Sequence, residues 1–117
     1  MTTHGDRLRD IAPNELAKML RGAEVTLIDV REPGEFAAQR IHGALLVPLS
    51  TFDIANLPRN PGQPIVLQCG SGKRSAIAAA HCLKAGVPLA GHLAGGIAAW
   101  VRAGLPTVTI DPATVGP

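Results

Sequence analysis

The sequence predicts an α/β domain built on a mainly parallel sheet, and three observations predict it. Residues 25–30 (VTLIDV) and 65–67 (IVL) are short, β-branched apolar runs bounded by polar turns or proline, the pattern of strands buried on both faces. Each run is followed by a tight turn and then a stretch of helical character. Strand-like and helix-like stretches also alternate along most of the chain. In sheets of this kind ligands bind outside the carboxyl ends of the strands, so the residues following each run are the ones to inspect.

Taken in order, residues 1–7 are polar and expected to be loose. Residues 8–11 suit a short edge strand. Pro13 fits the first turn of a helix through Glu15, Leu16, Met19 and Leu20, ended by Gly22. Residues 25–30 form the first central strand, and Pro33-Gly34 in REPGEF turns the chain into a short helical segment. Residues 44–47 read as a further strand stopped by Pro48, and residues 51–56 as a helical turn. Three prolines and a glycine make residues 57–64 a surface loop. The second central strand follows, then an alanine-rich helix from Ser75 with Ile77 and Leu83 at helical intervals, closed by Gly86. Residues 87–92 are the last strand. Gly95-Gly96 then lead into a helix through Ile97, Trp100 and Val101, capped by Gly104. The expected organisation is one domain over residues 8–107, with flexible tails at 1–7 and 108–117.

Composition excludes several function classes. The chain of 117 residues holds one hydrophobic core and has no room for a second. Phe36, Phe52 and Trp100 are its only Phe, Tyr or Trp residues, too few for a stacking platform for single-stranded nucleic acid. The formal net charge is +2 and the basic residues are scattered apart from Lys73-Arg74, so neither a nucleic-acid nor a membrane-surface footprint is expected. The N-terminus lacks the apolar core of a signal peptide, and the longest mostly apolar stretch, 87–101, is broken by Pro88, His92 and three glycines. Two cysteines make no disulfide framework, and a soluble, cytoplasmic protein in a reducing compartment is expected.

The chemistry concentrates in Cys69-Gly70-Ser71-Gly72-Lys73-Arg74, between the second central strand and its helix. Two glycines let backbone N–H groups turn toward a common centre without Cβ clashes. The helix N-terminus adds about half a positive charge, and Lys73 and Arg74 add two more. The nearest anion is the thiolate of Cys69; helix N-termini and cationic neighbours can lower a cysteine from a pKa of about 8.5 to roughly 3.5–7.5.

Other anion loops fail on spacing. A phosphate-binding G-x-x-x-x-G-K-[ST] loop would need glycine where Leu67 stands and Ser or Thr where Arg74 stands. A dinucleotide G-x-G-x-x-G fingerprint begins at Gly70 and Gly72 but meets Ser75 at its third glycine. A cysteine-dependent phosphatase would place its arginine one position later, where Ser75 stands. The shorter loop makes a narrower cradle, better suited to a persulfide sulfur than to a tetrahedral phosphate.

CGSGKRS resembles the active-site loop of the rhodanese-like sulfurtransferases. LIDVREPGEF, RIHGALLVPL and LAGGIAAWVRAGLP match that family's other motifs in the same order, so the resemblance covers residues 10–107. It implies a central, mainly parallel five-stranded sheet with helices on both faces. It implies that Cys69 takes a sulfane sulfur from a donor such as thiosulfate, becomes a persulfide, and passes the sulfur to cyanide, a thiol or a protein acceptor. Gly70, Ser71, Gly72, Lys73, Arg74 and Ser75 would bind the substrate and the persulfide, with no cofactor beyond the covalent persulfide and no metal. Asp29 and Arg31 match the family's D-x-R element, where the pair anchors the sheet end and the adjacent loops.

Three alternatives remain at this level: a persulfide carrier delivering to a partner protein, an arsenate- or phosphate-processing cysteine enzyme, and a pure interaction module. Some similar chains continue past a motif like AGLPTVTIDP into a membrane-spanning hairpin, and the sequence fits both a free-standing domain and a fragment of such a chain. Cys82 lies on a helical face with Ala78 and Ala79 and is expected to pack in the core rather than resolve a disulfide with Cys69. Trp100 is likewise expected in the core. His92 precedes the LAGG loop and is expected at the surface. His81 and Cys82 point to different helix faces with no third partner, so no metal site is expected.

Overall fold

Leu27 and Ile28 are neighbours in the chain, yet each is buried in a different hydrophobic cluster. Successive side chains of a strand point to opposite faces, so an apolar run with no polar alternation must be covered on both sides. That requirement organises the molecule. The computed structural model describes residues 8–110, and the expected tail segments 1–7 and 111–117 lie outside the described residues.

The elements are β1 (Asp10–Ile11), α1 (Pro13–Arg21), β2 (Thr26–Asp29), α2 (Pro33–Ala38), β3 (Gln39–Arg40), β4 (Leu45–Leu46), β5 (Ile65–Gln68), α3 (Lys73–Lys84), β6 (Leu89–Leu93), α4 (Gly96–Arg102) and β7 (Val108–Thr109). Five strands form one sheet in the order β1-β6-β5-β2-β4, and every pairing in it is parallel. The central strands β2 and β5 are buried along their whole length. On one face, Leu27 and Val66 pack against Leu16 and Ala17 of α1 and Ile97 and Trp100 of α4. On the other, Ile28, Ile65 and Leu67 pack against Ala78, Ala79 and Cys82 of α3. Each fully buried Leu, Ile or Val contributes about 1.5–3 kcal/mol, so the two clusters hold the helices to the sheet. The expected five-stranded parallel sheet with helices on both faces is the architecture observed.

The differences are local. Helix α3 begins at Lys73 rather than Ser75, because Gly72 sits in the left-handed region at φ +106 and starts the helix directly after the loop. Two short 3₁₀ turns, Leu49–Thr51 and Ile54–Asn56, replace the single turn expected at 51–56. Residues 108 and 109, assigned from sequence to a flexible tail, instead form β7, which pairs antiparallel with β3. The backbone there is tied by Ile110 N–H to the Ala38 carbonyl at 3.2 Å and by Gln39 Nε2 to Thr107 Oγ1 at 2.9 Å.

Candidate active site

Cys69 stands immediately after β5 and Lys73 opens α3, so the loop between them bridges the carboxyl end of a central strand and a helix N-terminus. The Cys69 side chain is fully buried. The Gly72 N–H donates to Sγ at 3.0 Å, and Ser75 Oγ lies 3.6 Å from Sγ. Burial pushes the thiol up, but the Ser75 hydroxyl and the N–H groups of Ser75, Gly72 and Ser71 more than offset this, and the thiol lies below its ordinary value.

The loop is held from behind by α4. Ile97 N–H donates to the Cys69 carbonyl at 2.9 Å and Ala98 N–H to the Gly70 carbonyl at 3.1 Å. This approach needs Gly96: a Cβ there would lie 2.6 Å from the Gly70 carbonyl carbon and oxygen, and closer still to the Cys69 oxygen. The Gly96 backbone also sits at φ +63, which glycine adopts without strain. The LAGG segment therefore fixes the position of the cysteine loop.

The two cations of the loop have different surroundings. Lys73 is exposed at the start of α3. Arg74 is engaged by Glu35 of α2, with Nη1 to Oε1 at 2.6 Å and Nη2 to Oε2 at 2.9 Å, a two-pronged pair that braces the loop's end. Asp29 and Arg31 form a separate buried pair at the end of β2. Arg31 Nε donates to both Asp29 oxygens at 3.1 Å, and Nη2 reaches Asp29 Oδ2 at 2.8 Å and the Gln39 carbonyl at 2.6 Å. Those bonds tie the end of β2 to the α2–β3 junction. Gly70 and Ser71 complete the loop, with Ser71 exposed.

Two further residues belong to the site. Glu35 is the partner of Arg74, and His92 at the carboxyl end of β6 bonds to Ser75 through Nδ1 at 2.8 Å and to Asp10 through Nε2 at 2.7 Å. His92 is thus buried, not at the surface as expected, because β6 lies between β1 and β5 and its end faces the start of α3. Cys82 is buried on the α3 face toward the sheet, and burial pushes its thiol up. Trp100 is buried in the core as expected, with Nε1 donating to the Pro106 carbonyl at 2.8 Å.

The model of the rhodanese-like domain matches residues 12–103 of this chain. The chain belongs to the rhodanese-like family. Within that family it is 42% identical over 105 residues to an uncharacterized protein of Synechocystis sp., covering 90% of this chain and 59% of that protein. It is 36% identical over 104 residues to a protein of Allochromatium vinosum named sulfurtransferase, covering 86% of this chain and 95% of the other. A rhodanese-related protein from Thermoplasma volcanium superposes with a TM-score of 0.75 at 28% identity, covering 86% of this chain and 97% of that one. The rhodanese-like domain thus accounts for nearly all of the described chain, while this chain spans less than two thirds of the Synechocystis relative. No helix among the described residues is long and apolar enough to cross a membrane.

Proposed function

We propose that this rhodanese-like chain is a sulfurtransferase that moves a sulfane sulfur from a donor such as thiosulfate to a thiophilic acceptor through a persulfide on Cys69. The observation that carries the reading is the Cys69 sulfur held at the carboxyl end of β5 by the Gly72 N–H at 3.0 Å, with its thiol lowered by the surrounding donors despite burial. A thiolate attacks sulfur where a thiol does not.

In the first half-reaction the Cys69 thiolate attacks the outer sulfur of thiosulfate. The sulfur–sulfur bond breaks, sulfite leaves with the bonding pair, and Cys69 becomes an anionic persulfide. In the second, cyanide or a thiol attacks the outer persulfide sulfur and the Cys69 thiolate is restored. The N–H donors that favour the thiolate also favour the persulfide anion. Exposed Lys73 supplies positive charge for an anionic donor, whereas Arg74 works through its pair with Glu35. A protein thiol fits the acceptor's role as well as a small molecule does. A cytoplasmic location suits a reactive thiol.

Intact mass after incubation with thiosulfate tests the reading. Wild type gains the mass of one sulfur atom, cyanide removes it, and Cys69→Ser shows no gain. Repeated turnover with excess cyanide separates an enzyme from a carrier. No gain with any sulfane donor would overturn the assignment.

A further inference from the structure

A continuous chain of side-chain contacts runs from the buried nucleophile to solvent. Cys69 Sγ lies 3.6 Å from Ser75 Oγ, Ser75 Oγ lies 2.8 Å from His92 Nδ1, and His92 Nε2 lies 2.7 Å from Asp10 Oδ1. The parallel register of β1 and β6 sets Asp10 directly opposite His92. The His92 side chain is only 9% exposed, whereas that of Asp10 is 76% exposed.

Hydrogen-bond roles fix the direction of this chain. A carboxylate only accepts, so the hydrogen on His92 Nε2 points to Asp10 and the neutral ring leaves Nδ1 bare. Nδ1 then accepts from the Ser75 hydroxyl. That hydroxyl also lies 3.2 Å from the Gly72 carbonyl, but the contact to Nδ1 is the shorter. The Ser75 oxygen is left as the acceptor for the Cys69 S–H. Every donor in the chain points away from sulfur.

Cys69 is buried with Ser75 Oγ beside its sulfur, and thiosulfate chemistry needs the thiol proton gone. We propose that His92, backed by Asp10, receives the Cys69 proton through the Ser75 hydroxyl and holds the nucleophile as one half of a thiolate–imidazolium pair. The transfer balances. The S–H proton passes to Ser75 Oγ as the hydroxyl proton passes to Nδ1. The imidazolium then donates from Nδ1 to Ser75 Oγ and from Nε2 to Asp10, while the Ser75 hydroxyl donates to the thiolate. The ionisable groups on the surrounding elements are Asp10 on β1, Cys69 after β5, Lys73, Arg74, His81, Cys82 and Lys84 on α3 and Arg102 on α4. Asp10 is the one that bonds to the ring. His92 is therefore a positioning residue that acts through Ser75.

The purpose of the relay rests on the sulfur-transfer reading, but its test reads the thiol itself. Ultraviolet thiolate absorbance is followed against pH for the full chain, with Cys69→Ser subtracted to remove Cys82. His92→Gln keeps a hydrogen-bonding side chain but removes the proton acceptor. Its Cys69 titration is expected to move up by about one pH unit, leaving about ten-fold less thiolate below the midpoint. Asp10→Asn moves it in the same direction by less. A His92→Gln curve that overlays wild type overturns the relay, since a purely structural histidine would not move the titration. If His92→Gln does not fold, the exposed Asp10→Asn decides, and coincidence with wild type is again the overturning result. Wild type that titrates as described but takes up no sulfur would leave the relay standing and remove the sulfur-transfer reading. Sulfur uptake alongside coincident curves would do the reverse.

Discussion

Arg74, in the first turn of α3 beside the cysteine loop, is clasped by Glu35 from a helix 39 residues earlier, with bonds of 2.6 and 2.9 Å. The hydrogen bond from Arg74, working against desolvation, brings the Glu35 carboxyl from 4.5 down to about 2. A carboxyl lowered on folding adds stability that is fully present above 4.5 and is lost as pH falls from there toward about 2. Both side chains are more than a third exposed, so solvent screening limits the gain to about 1 kcal/mol. Denaturant unfolding across this range should show wild type losing stability more steeply than Glu35→Gln. Parallel curves would mean the pair is silent in solution.

The two cysteines should separate cleanly. Cys69→Ser is expected to abolish sulfur transfer and leave the circular dichroism spectrum unchanged. Cys82→Ser should keep most activity but lose about 1–2 kcal/mol, because it places a hydroxyl among the apolar side chains under α3. Normal folding with activity lost in both variants would bring Cys82 into the chemistry.

Gly96→Ala should disturb the site from outside the loop. Its Cβ would press on the Cys69 and Gly70 carbonyls, and its backbone would be held at a positive φ, at a cost of about 1–3 kcal/mol. Thermal melting and turnover should both fall. Unchanged values would mean that α4 can retreat without moving the cysteine loop.

The Gln68 amide is buried, and neither its nitrogen nor its oxygen has a hydrogen-bond partner among the described residues. Gln68→Met keeps the volume and removes the unpaired groups, so unfolding stability should rise by about 1 kcal/mol. A fall would show that the amide finds partners in solution.

Much of the fold was legible because its signals are local. The VTLIDV and IVL runs carry strand character within a few residues, and the proline, glycine and alanine around them mark turns and helix starts. The paired strands β3 and β7 are not legible because Gln39-Arg40 carries no apolar signal and its partner Val108-Thr109 lies far along the chain. His92 was misplaced at the surface for a related reason. Its partners are 17 and 82 residues away, and nothing near LAGG announces them.

The sequence by itself determined the fold class, the nucleophile and its loop, because strand, turn and helix N-terminus are written in one contiguous stretch around Cys69. Only the tertiary structure decided how that loop is completed. Seating β6 between β1 and β5 sets His92 against Asp10 and Ser75, and packing α2 beside the start of α3 brings Glu35 to Arg74. Side chains meet by strand order and helix packing rather than by proximity along the chain, so the charge of Arg74 could be read early but its partner could not.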